Sequence, residues 1–445
     1  MGSLQEHITS AILTWMRKRR SASSSPESNA RAQSTGTIAP AKLREVRFSD
    51  FDAVAELKQR WGMTADSLDN WKRLWTDNPA LMHGEIVRPM GWVLEADGVI
   101  VGYLGNISLQ CRYGDRILTA VTSHGFVVEG RYRALALSLP AAFYRQKSVD
   151  LYISTTSIGP VGKMALAFKS AYLPQSDYDS VLFWVLQPHP FARSLMTKLN
   201  LGPAAARIGG ALSALAIGSD KALRRRWPRP SAASFTISEI APKDIGVEFQ
   251  GLWTAKLNER PRLFADRSPA VLRWHFEIPG DRGRARALCC RKDGELVGYA
   301  VIRTDTDTHD GLRKSVIADT LVRQDDPEIV KALWGAAYEC AKLEGSHVLE
   351  VLGFPPSIRQ ACSEWKPYVR KYPACPYYYK AADPVLHKQL TDGGAWYATP
   401  FDGDATLIRA SYSSSIVHGT FGVQTENSRD SIVSQVPLGE RTEVF

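Results

Sequence analysis

The chain reads Phe126-Val127-Val128-Glu129-Gly130-Arg131-Tyr132-Arg133-Ala134-Leu135-Ala136-Leu137-Ser138 where an apolar run meets a charged turn and then an Ala/Leu pattern. The apolar run Ile117–Val128 predicts a long strand, and the Ala/Leu pattern predicts a helix over Ala134–Lys147. The first N–H groups of a helix are unpaired, and with the helix dipole they attract anions. Small side chains at 134, 136 and 138 leave room for a phosphate. The stretch therefore predicts an anion site at a strand end.

This stretch resembles motif A of the GCN5-related N-acetyltransferase family, which holds the pyrophosphate of acetyl-CoA. The family pattern is Arg or Gln, two residues, Gly, one residue, then Gly or Ala. Here it reads Arg133, Ala136 and Ser138, so other small residues replace both glycines. The resemblance implies acetyl-CoA as acyl donor, contacted by Phe126, Val127, Val128, Arg131, Arg133, Ala134, Leu135, Ala136, Leu137 and Ser138.

Two copies of one hairpin pattern lie about two hundred residues apart. Asp97-Gly98-Val99-Ile100-Val101-Gly102-Tyr103 recurs as Asp293-Gly294-Glu295-Leu296-Val297-Gly298-Tyr299. Asp-Gly between apolar runs is a strong signal for a tight hairpin. The recurrence indicates a tandem duplication.

The resemblance implies an α+β (α/β) fold with two tandem acetyltransferase-fold domains, each a mixed, mostly antiparallel sheet flanked by helices. In the first domain the order of elements ends with a strand at Val181–Val185. The predicted segments are a basic amphipathic start with linker (1–42), the first domain (43–188), a connector (189–234), the second domain (235–382) and a partly disordered C-terminal extension (383–445).

The second domain departs from the motif. It reads Val322-Arg323-Gln324-Asp325-Asp326-Pro327 where phosphate would approach. An anion would meet like charge there, at a cost of several kcal/mol in a poorly solvated site. We therefore expect CoA in the first domain only, with the second used for stability and substrate recognition.

Acyl transfer to an amine needs a proton acceptor, a donor to the thioester oxygen and a proton for the leaving thiolate. Candidate acceptors are His124, a polar break in the predicted strand, and Glu129 in the turn. The family's acid is a tyrosine on the helix after the fifth strand, but the aligned residue here is Phe168, so Tyr172 becomes the candidate. Thr155 and Thr156 would bond the pantetheine amides or cap the next helix.

Composition excludes several classes of protein. Six cysteines lie apart from any CxxC or Cys/His ligand spacing, so neither a metal site nor a disulfide framework is predicted, and a reducing cytoplasm is the simple interpretation. The net charge of +9 is concentrated in Arg17–Arg20 and Arg224–Arg226, with no nucleic-acid module around them.

Two segments suggest contact with a membrane surface. Leu4, Ile8, Ile12 and Trp15 share one helical face ahead of the first basic cluster, which predicts either weak peripheral binding to anionic lipid or a terminal helix packed on a partner. Pro203–Gly218 is too short and too broken to span a bilayer, so it contacts the interface or packs between domains.

The sequence thus predicts an acyl-CoA-dependent N-acyltransferase, with acetyl as the first choice, acting on the amine of a small molecule. An aromatic cluster suggests a sugar platform, and hence an amino sugar or a cell-surface polysaccharide precursor: Tyr372, Tyr377, Tyr378, Tyr379, Trp396 and Tyr397. One alternative is a Fem-type aminoacyl transferase, which would need a tRNA-binding helical arm. The other is a non-catalytic CoA-binding or scaffold protein that kept the fold.

Overall fold

The computed structural model describes residues 39–408, except 83–87, 158, 199–202, 229–233, 281–283, 306–310 and 372–376. The described residues from Pro40 onward belong to one compact unit. The predictions for the basic amphipathic start and for the Ser/Thr-rich end fall on 1–38 and 409–445, outside the described residues.

The first half of the chain supplies seven strands and the helices between them. They are β1 (Lys42–Glu45), α1 (Phe51–Arg60), α2 (Leu68–Trp75), α3 (Pro79–Met82), β2 (Gly91–Ala96), β3 (Val99–Tyr113), β4 (Arg116–Val128), α4 (Ser138–Tyr144), β5 (Leu151–Ser154), α5 (Gly159–Ala167), β6 (Ala171–Tyr172) and β7 (Ser180–Val185). A 3₁₀ helix, Gly130–Leu135, joins β4 to α4.

Two connector helices, α6 (Pro188–Lys198) and α7 (Pro203–Arg224), lead into the second half. That half contains β8 (Thr236–Ile240), α8 (Glu248–Leu257), β9 (Leu263–Ala265), α9 (Pro269–Phe276), β10 (Ala285–Lys292), β11 (Glu295–Asp305), β12 (Lys314–Val322), α10 (Pro327–Leu343), β13 (Val348–Leu352), α11 (Pro356–Gln360), β14 (Tyr368–Lys371), β15 (Tyr378–Ala381), α12 (Pro384–Gln389) and α13 (Ala405–Ile408). None of the helices described is long and apolar enough to cross a membrane.

The strands form two mixed sheets, as the resemblance implies. The first sheet has the order β1-β2-β3-β4-β5-β15-β6, with β9 attached to β3, and the second has the order β14-β7-β13-β12-β11-β10-β8. Each contains one parallel pair, β4–β5 and β12–β13, within otherwise antiparallel neighbours. The repeated hairpin pattern therefore marks the same position, β2–β3 and β10–β11, in both sheets.

Both predicted Asp-Gly hairpins are confirmed, and their backbone explains the sequence. Asp97 and Gly98 have φ angles of 48° and 79°, and Asp293 and Gly294 have φ angles of 51° and 83°. A type I′ turn needs positive φ at both central residues, which Asp-Gly tolerates at low cost.

The two halves exchange strands, which the sequence does not predict. β7 comes from the first half but pairs with β13 and β14 in the second sheet. In return β15, from the second half, lies between β5 and β6 in the first sheet. The placement of Val181–Val185 in the first domain is therefore wrong: a short, fully apolar strand fits either sheet, and pairing partners decide between them.

The helix predicted over Ala134–Lys147 begins later, at Ser138. Pro140 is the reason, because proline has no N–H and clashes with the carbonyl four residues earlier, so it is tolerated only in the first turn. The preceding 3₁₀ turn rotates Leu135 away from the core: it is 40% exposed, whereas Leu139 and Phe143 are buried.

The C-terminal stretch 396–408 bonds to both sheets. Arg267, fully buried, pairs with Asp319 of β12 at 3.1 Å and with Asp402 of this stretch at 2.8 Å. Burial opposes the charge of Arg267, but the two carboxylates outweigh it and hold its pKa well above the usual value. At the other end of the stretch, the Leu407 carbonyl accepts a hydrogen bond from Arg73 at 2.7 Å.

The aromatic cluster is part of the core. Among its described members, Tyr377, Tyr378, Tyr379, Trp396 and Tyr397 are all at most 5% exposed. Trp396 packs edge-on against Tyr379, with ring centroids 4.8 Å apart. The prediction of an exposed sugar platform from these rings is therefore wrong, because apolar ring faces gain more from burial between the halves.

Candidate active site

The first sheet opens between β4 and β5. The two strands pair at Ala120–Leu151, Val121–Tyr152 and Thr122–Ile153, and their pairing ends there. Beyond Thr122, β4 continues to Val128, and within the part of the chain that the structure describes it pairs there with β3 alone. We call this opening the β4–β5 gap. Backbone groups of β4 that face it are free to bond a ligand, because the neighbouring strand does not use them.

A β-bulge interrupts the pairing of β3 with β4 beside the gap. The register between β3 and β4 shifts between Tyr103 and Gly105, and Gly125 has a φ of 70°. A Cβ built on Gly125 would lie 2.8 Å from Cε of Lys58. Glycine is required here for both reasons, and bulges of this kind commonly redirect side chains beside active sites.

His124, immediately before the bulge, belongs to a buried cluster of three charged or titratable side chains. Its Nε2 lies 3.0 Å from Oδ2 of Asp66 and 3.3 Å from Nζ of Lys58. Lys58 Nζ also donates to Asp66 Oδ2 at 2.7 Å. We call these residues the His124–Asp66–Lys58 cluster. Since Nε2 makes both of these contacts, Nδ1 is the ring nitrogen left for another partner.

Asp66 carries the negative charge of the cluster. Burial alone would raise the pKa of Asp66, but the charges and hydrogen bonds of His124 and Lys58 outweigh it and hold that pKa well below its usual value. Asp66 is therefore an anion that offsets the Lys58 cation.

The ring of Tyr103 borders the cluster, since Lys58 Nζ lies over it, 5.1 Å from its centroid. Among the described residues, the Tyr103 hydroxyl and Thr122 Oγ1 are buried without a hydrogen-bond partner. Burial, and secondarily the charge of Asp66, raise the pKa of Tyr103 well above its usual value, so the phenol stays protonated. Buried polar groups are normally paired, so such orphans point to a polar ligand or water at this face.

The opposite face of β4 borders a small apolar cavity of about 20 Å³. It lies between α4 and α5 and is lined by Leu104, Ser123, Phe126, Tyr144, Val161 and Met164, among others. Tyr144 stacks on Phe168, with centroids 5.0 Å apart, and receives a long hydrogen bond of 3.4 Å from Ser170. Burial raises the pKa of Tyr144. Sequence reasoning did not select this phenol.

The residues of the motif follow β4 as an exposed turn. Val127 is buried, whereas Arg131, Arg133, Ala134, Leu135 and Leu137 are exposed. Ser138 Oγ donates to the carbonyl of Leu135 at 2.6 Å. Phe126, Val128 and Ala136 are half-buried, so the turn presents small and basic side chains to solvent.

Glu129 is held by two arginines. Arg60 donates to Oε1 at 3.0 Å and Arg131 donates to Oε2 at 3.1 Å. Both carboxylate oxygens are therefore in ion pairs, an arrangement that suits the positioning of the arginines better than proton transfer.

Tyr172 lies away from the other candidates. It is 57% exposed on β6, and β15 separates it from β5. Its ring packs against Tyr378, with centroids 4.9 Å apart. The structure thus does not bring Tyr172 to the β4–β5 gap.

Thr155 and Thr156, at the end of β5, bond to Asp404. The hydroxyls of both threonines donate to its carboxylate, and the Thr155 N–H donates to Oδ1 at 3.1 Å. These hydroxyls therefore fix the C-terminal stretch to the first sheet.

The equivalent place in the second sheet is closed. β12 and β13 also part, beyond Val316–Glu350, but Asp325 lies at the turn and bonds Arg262 and Ser357 at 2.7 and 2.9 Å. Burial alone would raise the pKa of Asp325, yet the charges of Lys256 and Arg262 lower it to about 2. The basic groups at this turn are thus already paired with a carboxylate of the chain.

Sequence reasoning missed Asp66 and Lys58. Lys58 follows Leu57 on the buried face of α1, and a lysine on such a face is the one sequence signal that marks it. Asp66 lies in a loop and has none. Among the described residues, no group of three or more His, Cys, Asp or Glu side chains is placed to hold a metal ion.

No known family model matches the sequence, and no characterised protein matches it either. Solved structures do resemble it. A GCN5-related N-acetyltransferase from Anabaena variabilis aligns with a TM-score of 0.50 at 10% identity, over 77% of this chain and 73% of that one. The N-myristoyltransferase of Saccharomyces cerevisiae, solved with bound myristoyl-CoA, aligns at 0.47 and 9% identity, over 80% and 86%. The open parallel pair, the bulge and the first of these alignments agree, and the chain has the fold of the GCN5-related N-acetyltransferase superfamily.

Proposed function

We propose that the chain transfers an acyl group from acyl-CoA to the amine of a small molecule, at the β4–β5 gap of the first sheet. The observation that carries the proposal is the His124–Asp66–Lys58 cluster beside the point where the strands part. A buried imidazole that is held in a fixed orientation is suited to take a proton from an amine.

His124 has the role of proton acceptor. Asp66 orients the ring through Nε2, which leaves Nδ1 for the proton of the attacking amine. The logic is that of a carboxylate fixing a catalytic histidine in one tautomer. Lys58 keeps Asp66 ionised, so it acts on His124 through the carboxylate.

Two other parts of the site suit acyl-CoA. The unpaired backbone of β4 offers N–H groups for the thioester oxygen. The exposed turn offers the guanidinium groups of Arg131 and Arg133 for the diphosphate, beside the small side chain of Ala136.

Tyr144 is the proposed acid. It borders the gap on the face opposite His124, and its phenol O–H is a proton donor in the lining of the cavity there. In the reaction, the amine forms a C–N bond with the acyl carbon as the C–S bond breaks. His124 takes one proton from the amine, and Tyr144 gives one to the thiolate of CoA.

The cavity beside Tyr144 supports a short acyl group. The cavity has room for at least one water-sized group. Acetyl stays the first choice of acyl group, as the resemblance implies. The aromatic rings that suggested an amino sugar acceptor are buried, so they cannot stack on a sugar. We therefore keep only the broader class, a small-molecule amine, as the acceptor.

The test is release of free CoA, followed with a thiol-reactive chromophore, from acetyl-CoA and a panel of small amines. We expect thiol release with at least one amine, and His124→Ala to lower kcat about a hundredfold while CoA affinity is little changed. His189→Ala, at an exposed position of α6, is the matched control.

Calorimetry separates the alternatives. CoA binding without thiol release from any amine would support a non-catalytic CoA-binding protein. Lack of CoA binding, together with activity on aminoacyl-tRNA, would support a Fem-type transferase. Normal turnover in His124→Ala would remove this residue from the mechanism.

A further inference from the structure

One face of α7 exposes an apolar stripe. Leu212, Leu215 and Leu223 are 64%, 69% and 83% exposed, and Ala216 lies among them on the same helical face. We call these four residues the α7 stripe. Exposed Ser219 lies on the same face between Ala216 and Leu223, so the row has one polar break. Single exposed leucines are common on protein surfaces, but several on one helical face mark an interaction surface.

The other face of α7 fixes the helix on the second half. Asp220 accepts a hydrogen bond from Tyr368 at 2.8 Å, and Lys221 lies over the ring of Tyr338, 5.8 Å from its centroid. Arg226, just after the helix, stacks on Tyr368 at 4.3 Å. The α7 stripe is therefore held outward by the fold.

The end of the stripe is basic. Residues 210–228 contain one acidic residue, Asp220, against Lys221 and three arginines, and Asp220 is already paired with Arg224 and Arg226. Arg225 and Trp227 are exposed directly beyond the stripe. Leucines flanked by arginine and tryptophan are typical of helices that lie in the plane of a membrane surface.

Charge decides between the candidate occupants of this surface. A second copy of the chain offers leucines to the stripe but no negative charge to its arginine end. The N-terminal segment carries Arg17-Lys18-Arg19-Arg20 and would meet the same like charge. An anionic bilayer complements both the leucines and the arginines.

We propose that the α7 stripe docks the protein on membranes with anionic headgroups. The helix lies in the interface, with its leucines among the acyl chains and Arg224 and Arg225 at the headgroups. Its contribution is location, and it is independent of the chemistry proposed at the β4–β5 gap.

The test uses the full chain and flotation with vesicles of phosphatidylcholine, with and without phosphatidylglycerol. We expect binding to the anionic vesicles at low salt and loss of binding as salt screens the arginines. Leu212→Glu/Leu215→Glu should lower the partition coefficient at least about tenfold. Leu343→Glu, at an 87% exposed leucine of α10, is the matched control and should bind as wild type does.

Four outcomes would overturn the proposal. The first is equal binding of the stripe variant and the wild type to anionic vesicles. The second is equal binding of the wild type to neutral and anionic vesicles. The third is a dimer that forms at micromolar concentration and is lost in Leu215→Glu, which would assign the surface to a second copy. The fourth is vesicle binding only after residues 1–38 are deleted, which would show that this segment covers the stripe. Circular dichroism of each variant confirms that it is folded.

Discussion

Lys58 Nζ and His124 Nε2 lie 3.3 Å apart in the interior, and both contact the same oxygen of Asp66. The carboxylate between them offsets the unfavourable interaction of two basic groups that are buried this close together. The cluster is therefore a single electrostatic unit, and removal of its anion should disturb both basic groups.

Asp66→Asn should destabilise the protein by about 3–5 kcal/mol, because it leaves the Lys58 ammonium buried without its counter-charge. It should also lower kcat, because an amide no longer orients His124 as an anion does. Urea unfolding and steady-state kinetics measure the two effects. Asp69→Asn, at an exposed position of α2, is the control and should stay within about 0.5 kcal/mol of wild type.

The same carboxylate predicts a pH dependence of stability. The pKa of Asp66 is lower in the folded state than in the unfolded state, so the unfolded state binds more protons in acid. Its contribution is complete above the unfolded pKa of about 4 and is lost as pH falls toward the folded value. The free energy of unfolding should therefore fall more steeply below pH 5 in wild type than in Asp66→Asn. Parallel curves would show that Asp66 has no such role.

CoA should bind with a stoichiometry of one per chain. Ala136→Glu puts bulk and negative charge in the turn after β4 and should abolish CoA binding in calorimetry. Gln324→Glu, at an exposed position of the second turn, should leave binding unchanged, because Asp325 already closes that site. Two sites per chain, or normal affinity in Ala136→Glu, would refute the assignment.

Arg267→Met should destabilise the protein by about 3–5 kcal/mol. It leaves Asp319 and Asp402 buried without the cation that both contact. Arg47→Met, at an exposed arginine after β1, should have little effect. Thermal unfolding of the two variants gives the comparison, and similar melting temperatures would mean that the pairing contributes little.

The strand exchange predicts the behaviour of fragments. Residues 1–230 alone lack β15, and residues 231–445 alone lack β7, so neither should give a cooperative unfolding transition. Co-expressed, the two fragments should associate and co-purify as a folded complex. A folded, monomeric fragment 1–230 would contradict the dependence on β15.

Local signals in the sequence account for much of the fold. The Asp-Gly turns are found where the pattern places them, because turn chemistry acts over a few residues. Pro140 is also a local signal, since it accounts for the start of α4 at Ser138. Strand exchange has no local signal, since Ser180–Val185 is apolar enough for either sheet.

Some residues of the candidate site have a local signal in the sequence and others have none. His124 could be selected because it interrupts an apolar strand, and the turn could be selected from its small residues. Asp66 could not, because its role depends on two partners brought to it by tertiary packing. The predicted contacts to CoA are tested by calorimetry of Ala136→Glu.

The exchange of β7 and β15 also has a consequence during synthesis. β5 leaves the ribosome long before its neighbour β15, since Ser154 pairs with Tyr378. At ~5–20 residues per second, the interval is on the order of 10–45 s. Throughout it, one edge of the nascent first sheet stays open to other strands, a known route to aggregation. Slower growth at low temperature and chaperones that cover open sheet edges should therefore raise the yield of soluble protein.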